Sequence, residues 1–146
     1  MQIRPATDHD YADLCLLEQG RSGCRYQAAV FIRQSMTLWP DMVLVARTDG
    51  VFSGYLIGAP SQSRENAWIL RLRVTEFFRR QGVGMALLGS VCSRMKADGV
   101  KRMLLSCSSD NEPALALYGK AGFIVDGNEP EYFGTGEDRL ILSCQL

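Results

Sequence analysis

Between residues 67 and 99 the apolar pattern changes period, and that change constrains the fold more than any other feature of the chain. Ala67-Trp68-Ile69-Leu70-Arg71-Leu72-Arg73-Val74 reads as a strand, whereas from about Gly82 to Asp98 the set Val83, Leu87, Val91 and Met95 recurs every four residues. Leu88 and Cys92 broaden that stripe and Gly99 supplies a stop, so the second segment is an amphipathic helix. The connection carries Arg79 and Arg80, and two glycines one residue apart, Gly82 and Gly84, open the helix. The first N–H groups of a helix have no intrahelical acceptor, and the helix dipole favours negative charge there. Gly82 and Gly84 remove side chains that would hold a phosphate away from the backbone. The segment Arg79-Arg80-Gln81-Gly82-Val83-Gly84 therefore reads as an anion cradle with cations beside it. A nucleotide P-loop would need Gly-Lys-Ser/Thr at this point, and a dinucleotide fingerprint would need a third glycine where Leu87 stands. The plainer alternative is a glycine-bearing turn without a ligand.

Around this segment the remaining elements fall into order. Met1 to Ala6 reads as a short strand, and Thr7 with Asp10 marks a box-like helix start running to about Glu18, which Gly20 to Gly23 breaks. A second helix spans about Tyr26 to Leu38 and stops at Trp39-Pro40, because proline disfavours helical backbone in the residue before it. Met42 to Arg47 and Val51 to Ile57 form a hairpin about Asp49-Gly50. After the long helix come a strand at Arg102 to Cys107, a helix capped by Ser109 or Asp110, and strands at Phe123 to Asp126 and Arg139 to Gln145. The order β-α-α-β-β-β-α-β-α-β-β predicts an α/β (α+β) protein in which a mixed sheet is covered by helices on both faces.

The length of 146 residues suits one domain over residues 1–146. Sixteen basic residues balance sixteen acidic ones, so no global field favours a nucleic-acid partner. No apolar run reaches the ~18 residues of a membrane helix, and Met1-Gln2-Ile3-Arg4-Pro5 lacks the apolar stretch of a signal peptide. The five cysteines fit neither a zinc module nor a disulfide scaffold. These features predict a cytoplasmic protein with no metal, no nucleic-acid partner and no membrane, and they leave a homodimer open. His9 is the single histidine and has no triad signature around it, so nucleophilic hydrolase chemistry is a poor reading.

On Arg79-x-x-Gly82-x-Gly84, and on Asn111-x-Pro113-Ala114-x-x-Leu117-Tyr118-x-x-x-Gly122-Phe123, the chain resembles the GNAT superfamily of acyl-CoA-dependent N-acetyltransferases over nearly its whole length. The resemblance implies a mostly antiparallel sheet of about seven strands, with the cofactor in a splay between the fourth and fifth. It implies acetyl-CoA as co-substrate, its pyrophosphate held by Arg79, Arg80, Gln81, Gly82, Val83 and Gly84. It further implies that backbone groups of Leu72, Arg73 and Val74 and the side chain of Asn111 hold the pantetheine arm, and that Tyr118 directs its hydroxyl at the thioester sulfur. Glu76 departs from the pattern, since relatives often carry proline there.

The implied reaction is attack by a neutral primary amine on the thioester, with a proton donor for the departing thiolate, and Tyr118 is the candidate donor. The base is open. In the ribosomal-protein acetyltransferases of the family a glutamate stands five residues before the asparagine, where this chain has Ser106, and Glu65, Glu129, Glu131 and Asp138 are carboxylates that could act through water. The acceptor is expected to be a small metabolite amine, and Arg71 and Arg73, on one face of their strand, suggest one that carries a carboxylate. The bland alternative pairs these arginines with Asp138 or Glu137. Tyr132-Phe133 resembles an aromatic loop beside the acceptor in several relatives, or is ordinary hairpin packing. Two other functions stay open: a protein N-terminal acetyltransferase, and a non-catalytic acyl-CoA-binding module.

Overall fold

The computed structural model describes residues 1–20 and 23–146. The expected break at Gly20 to Gly23 includes positions 21 and 22, which lie outside the described residues. Along the chain come β1 (Gln2–Pro5), α1 (Tyr11–Gln19), α2 (Arg25–Leu38), β2 (Val43–Thr48), β3 (Val51–Pro60) and β4 (Asn66–Val74). They are followed by α3 (Val83–Ala97), β5 (Arg102–Cys107), α4 (Glu112–Lys120), β6 (Ile124–Glu129) and β7 (Arg139–Gln145). One seven-stranded sheet runs in the order β1-β2-β3-β4-β5-β7-β6, antiparallel at every pairing except β4 with β5.

The sheet is buried on both faces because its central strands are apolar on both. In β2 and β3, Leu44 and Leu56 join the core beneath α3, while Val43, Val45, Tyr55 and Ile57 join the core beneath α1 and α2. Such strands read as continuous apolar runs rather than alternations. The every-fourth-residue set of α3 supplies Val83, Leu87, Val91 and Met95 to the first core. Helix α3 crosses the sheet at Gly58, where an added Cβ would lie 2.9 Å from Val91 and 3.0 Å from Met95. The hairpin strand β3 continues to Pro60, beyond the expected Ile57, because Gly58 and Ala59 stay in the ladder with Ile69 and Trp68.

The chain start is tied down by charge. Asp10 is fully buried and accepts from Arg4 at 2.7 Å, from Arg47 at 2.9 Å and from the Thr7 N–H at 2.8 Å. These donors outweigh the burial that would favour the neutral acid and hold its carboxyl far below the usual range. Thr7 and Asp10 do sit at the start expected of them, with a single 3₁₀ turn, Asp8–Asp10, leading into α1.

Candidate functional site

The site grows from one irregularity in β4. Ile57 of β3 pairs with Arg71 and Gly58 with Ile69, which leaves Leu70 as an extra residue, a β-bulge. Before the bulge β4 lies parallel to β5 through Asn66, Ala67 and Trp68, and beyond it no residue of β4 pairs with β5. Residues 69–74 thus keep β3 on one side and present an unpaired edge on the other. The bulge also resets the alternation: Leu72 and Val74 turn to the α3 core with Ala67 and Ile69, while Leu70 is exposed rather than in step with them.

At its far end β4 is pinned by Gly54, where an added Cβ would lie 2.7 Å from the Arg73 carbonyl oxygen. Thr75 N–H donates to the Ser53 carbonyl at 2.9 Å, and a 3₁₀ turn, Glu76–Phe78, carries the chain to the cradle. Arg80 and Gly82 both take left-handed backbone, with φ of 61° and 83°. Among the described residues no acceptor meets the N–H groups from Arg80 to Met85, and no side chain caps α3. Arg79 and Arg80 are exposed beside them. Space around Gly82 is open, since a Cβ there would meet nothing within 4 Å. A row of unpaired donors at a helix start, flanked by cations, fits an anion such as a pyrophosphate.

Gly84 does a second job that the pattern did not disclose. A Cβ there would lie 3.1 Å from Leu117 and 3.8 Å from Val74, so this glycine lets the first turn of α3 touch both α4 and the end of β4. Tyr118 is the next residue of α4 and packs against the core beneath α3. Tyr118 packs edge-on against Phe123 at 5.9 Å between ring centres. Burial, with a contribution from the Cys107 thiol at the end of β5, pushes its hydroxyl up to about 12, so the phenol stays protonated at neutral pH. Helix α4 is capped by Asn111 rather than by Ser109 or Asp110: its Oδ1 accepts from the Ala114 N–H at 3.2 Å. Its amide nitrogen remains as the side chain's donor.

On the opposite face of β4, Arg71 and Arg73 meet an acid that sequence reasoning missed. Their partner is Glu18 of α1, at 2.9 Å from Arg71 and 3.3 Å from Arg73, and Tyr55 donates its hydroxyl to the same carboxylate. Neither Asp138 nor Glu137 takes this part: Asp138 accepts from the Glu131 N–H and Glu137 pairs with Arg139. The pairing joins residues more than fifty positions apart, and Glu18 sits in α1 among residues whose spacing marks only an apolar face, so no local signal could have found it. Among the candidate bases, Glu65 precedes β4 and pairs with Lys101. At about 3.3 Å per residue it stands roughly 13 Å from Ile69, where the splay begins, and roughly 30 Å from Val74 at the cradle end. Ser106 lies in the β5–β7 ladder opposite Ile141, and Tyr132 is exposed in the loop between β6 and β7, packed edge-on against Phe133.

A sheet opened between two parallel strands, with a row of free N–H groups where the next helix begins, is an arrangement that can receive a pyrophosphate-bearing ligand. The chain belongs to the GNAT acetyltransferase family, whose model matches residues 10–123. It is 28% identical over 112 residues to N-alpha-acetyltransferase MAK3 of Arabidopsis thaliana, covering 75% of this chain and 59% of that protein. It is likewise 28% identical over 85 residues to the ribosomal protein bS18-alanine N-acetyltransferase of Escherichia coli, covering 56% of this chain and 57% of that one. The chain thus spans less than two thirds of these relatives' length. Ard1 from Thermoplasma volcanium superposes with a TM-score of 0.88 at 27% identity, over 99% of this chain and 97% of that one. An aminoglycoside 6'-N-acetyltransferase complexed with coenzyme A shares the fold, with a TM-score of 0.87 at 14% identity.

Proposed function

We propose that residues 1–146 form one acetyltransferase domain that moves an acetyl group from acetyl-CoA to a primary amine. The observation that carries this reading is the row of unpaired amides from Arg80 to Met85 set against the free edge of β4. In this reading those amides and the Arg79 and Arg80 side chains bind the pyrophosphate. Backbone groups of Leu72 and Val74, which face the β5 side, line up the pantetheine arm as an added strand would, the Val74 carbonyl also accepting from Arg79 Nε at 3.4 Å; the Arg73 carbonyl faces Gly54 of β3 instead, and the Asn111 amide nitrogen donates to the arm. Bound acetyl-CoA supplies the activated acyl group as a thioester. The amine must arrive neutral, because its lone pair forms the new C–N bond as the C–S bond breaks. Tyr118 gives its proton to the departing sulfur and recovers one from the ammonium nitrogen through solvent. No carboxylate is assigned as base.

The acceptor we propose is a small amine that also carries a carboxylate, since the face of β4 opposite the cradle holds two guanidinium groups. A protein N-terminus is the second reading, supported by the names of the Arabidopsis and Escherichia coli relatives and by exposed Tyr132 and Phe133. Free-thiol release from acetyl-CoA, followed over amino acids, polyamines and short peptides, tests the assignment. Amine-dependent release supports it, and CoA binding without release with any amine would leave a binding module instead.

A further inference from the structure

The two arginines of β4, treated alike by the sequence pattern, have different surroundings. Arg73 lies against the C-terminal end of α1, where a Cβ at Gly20 would sit 4.0 Å from its guanidinium. A cation at a helix C-terminus is favourable, and together with Glu18 it fastens α1 to β4. Arg71 instead lines a pocket of about 200 Å³ between α1, α2 and β4, with Glu18, Gln27, Ala28 and Phe31. The Phe31 ring stands 5.2 Å from its guanidinium carbon and orients the group. The Arg71 Nε–H is buried and meets no acceptor among the described residues. The rest of the guanidinium is reachable, since the Arg71 side chain is 40% exposed and gives one terminal nitrogen to Glu18, which leaves donors open to an anion in the pocket. Among the described residues one carboxylate, Glu18, faces both arginines, so the cluster keeps one positive charge in excess there.

We infer that this pocket is a subsite for the carboxylate of the acceptor, with Arg71 as its contact and Glu18 as the counter-charge that sets how strongly an anion is held. Arg73 is a positioning residue here. The inference rests on the proposed transferase activity and deepens it, because it assigns the selectivity to one arginine and one pocket. The pocket's size suits a single residue-sized group. The carboxylate could belong to a free amino acid or to an acidic peptide, and the site chemistry is common to both.

Matched acceptors test it: amino acids from glycine to 4-aminobutyrate against their carboxamides, and Ser-Asp peptides against Ser-Asn peptides. The wild type is expected to favour the carboxylate member of the small-molecule or the peptide pairs, chiefly through KM. Arg71→Leu and Arg71→Lys should reduce that preference by about tenfold or more, the worth of a charge-assisted contact. Glu18→Gln keeps an acceptor for Tyr55 and removes the counter-charge, so the preference should rise. A purely structural Glu18 would instead lower turnover of both members equally. Calorimetric titration with glutarate, which has no amine, reads the subsite apart from catalysis. Glutarate should bind the wild type and bind more weakly after Arg71→Leu. Absence of glutarate binding, or pair preferences indifferent to both Arg71 variants, overturns the subsite while leaving acetyl transfer standing. Failure of transfer with every amine, with glutarate still bound through Arg71, overturns the transferase reading and retains the anion pocket.

Discussion

Tyr118 is the residue to which the proposed reaction assigns the proton donor. Its neighbours are apolar side chains and one thiol, so the cost of ionising it falls on an uncompensated buried charge. A phenol held at about 12 is a donor that never empties at working pH. Tyr118→Phe keeps the ring and its edge contact with Phe123 and removes only the proton. We expect kcat to fall by ~10²-fold or more with acetyl-CoA affinity nearly unchanged, measured by steady-state kinetics beside calorimetry. Full turnover in that variant would return Tyr118 to packing alone. The candidacy of Tyr118 was legible because Asn111, Ala114, Tyr118, Gly122 and Phe123 lie within one short helix and its cap. Glu18 was not, because its partners Arg71, Arg73 and Tyr55 come from two strands that only the folded sheet brings beside α1.

At the scale of elements, three glycines do separable work. Gly82 opens the cradle without touching other side chains, Gly84 admits Leu117, and Gly54 lets β3 approach the Arg73 carbonyl. Gly84→Val is therefore a poor probe of the cradle, since it would also crowd the α3–α4 contact. Gly82→Ala places a methyl in open space at a left-handed position, costing about 1 kcal/mol of backbone strain. It should weaken CoA binding clearly while lowering the melting temperature by only a few degrees. Gly54→Ala should do the reverse in order of cause: the 2.7 Å clash moves β4, so stability and activity fall together. Parallel melting curves and CoA titrations separate the two patterns. Loss of stability without loss of CoA affinity in Gly82→Ala would contradict the cradle. The strand-to-helix change at residues 74–83 was readable from period alone, and so was the pair of glycines. The bulge at Leu70 was not, because a bulge is a property of two paired strands and Leu70 continues the local alternation without interruption.

Across the whole molecule the layered sheet follows from the arrangement of apolar residues: two-sided burial in β2 and β3, and one stripe each on the flanking helices. The same dry interior sets how the protein meets alkaline pH. Burial raises Tyr118 from 10.0 to about 12 and Cys92 from 9.0 to about 11. Both groups are neutral in the fold and ionise more readily in the unfolded chain, so their contribution is complete below pH ~9. It is lost as pH rises through about 11 and about 12. Thermal melts should show stability declining from pH ~9 upward, and Tyr118→Phe should flatten the upper part of that decline. An unchanged pH profile in the variant would place the hydroxyl in contact with water.

In the proposed reaction the amides from Arg80 to Met85 receive the pyrophosphate of CoA. An amide-resolved NMR titration of the uniformly labelled protein with CoA, and in parallel with pantetheine, tests it most directly. CoA should shift the resonances of Arg80 to Met85 most strongly and slow their hydrogen exchange. Pantetheine, which lacks the pyrophosphate, should leave them close to their free positions while perturbing Leu72 to Val74. Saturable CoA binding that leaves Arg80 to Met85 unmoved, or equal shifts there from pantetheine, would contradict the account.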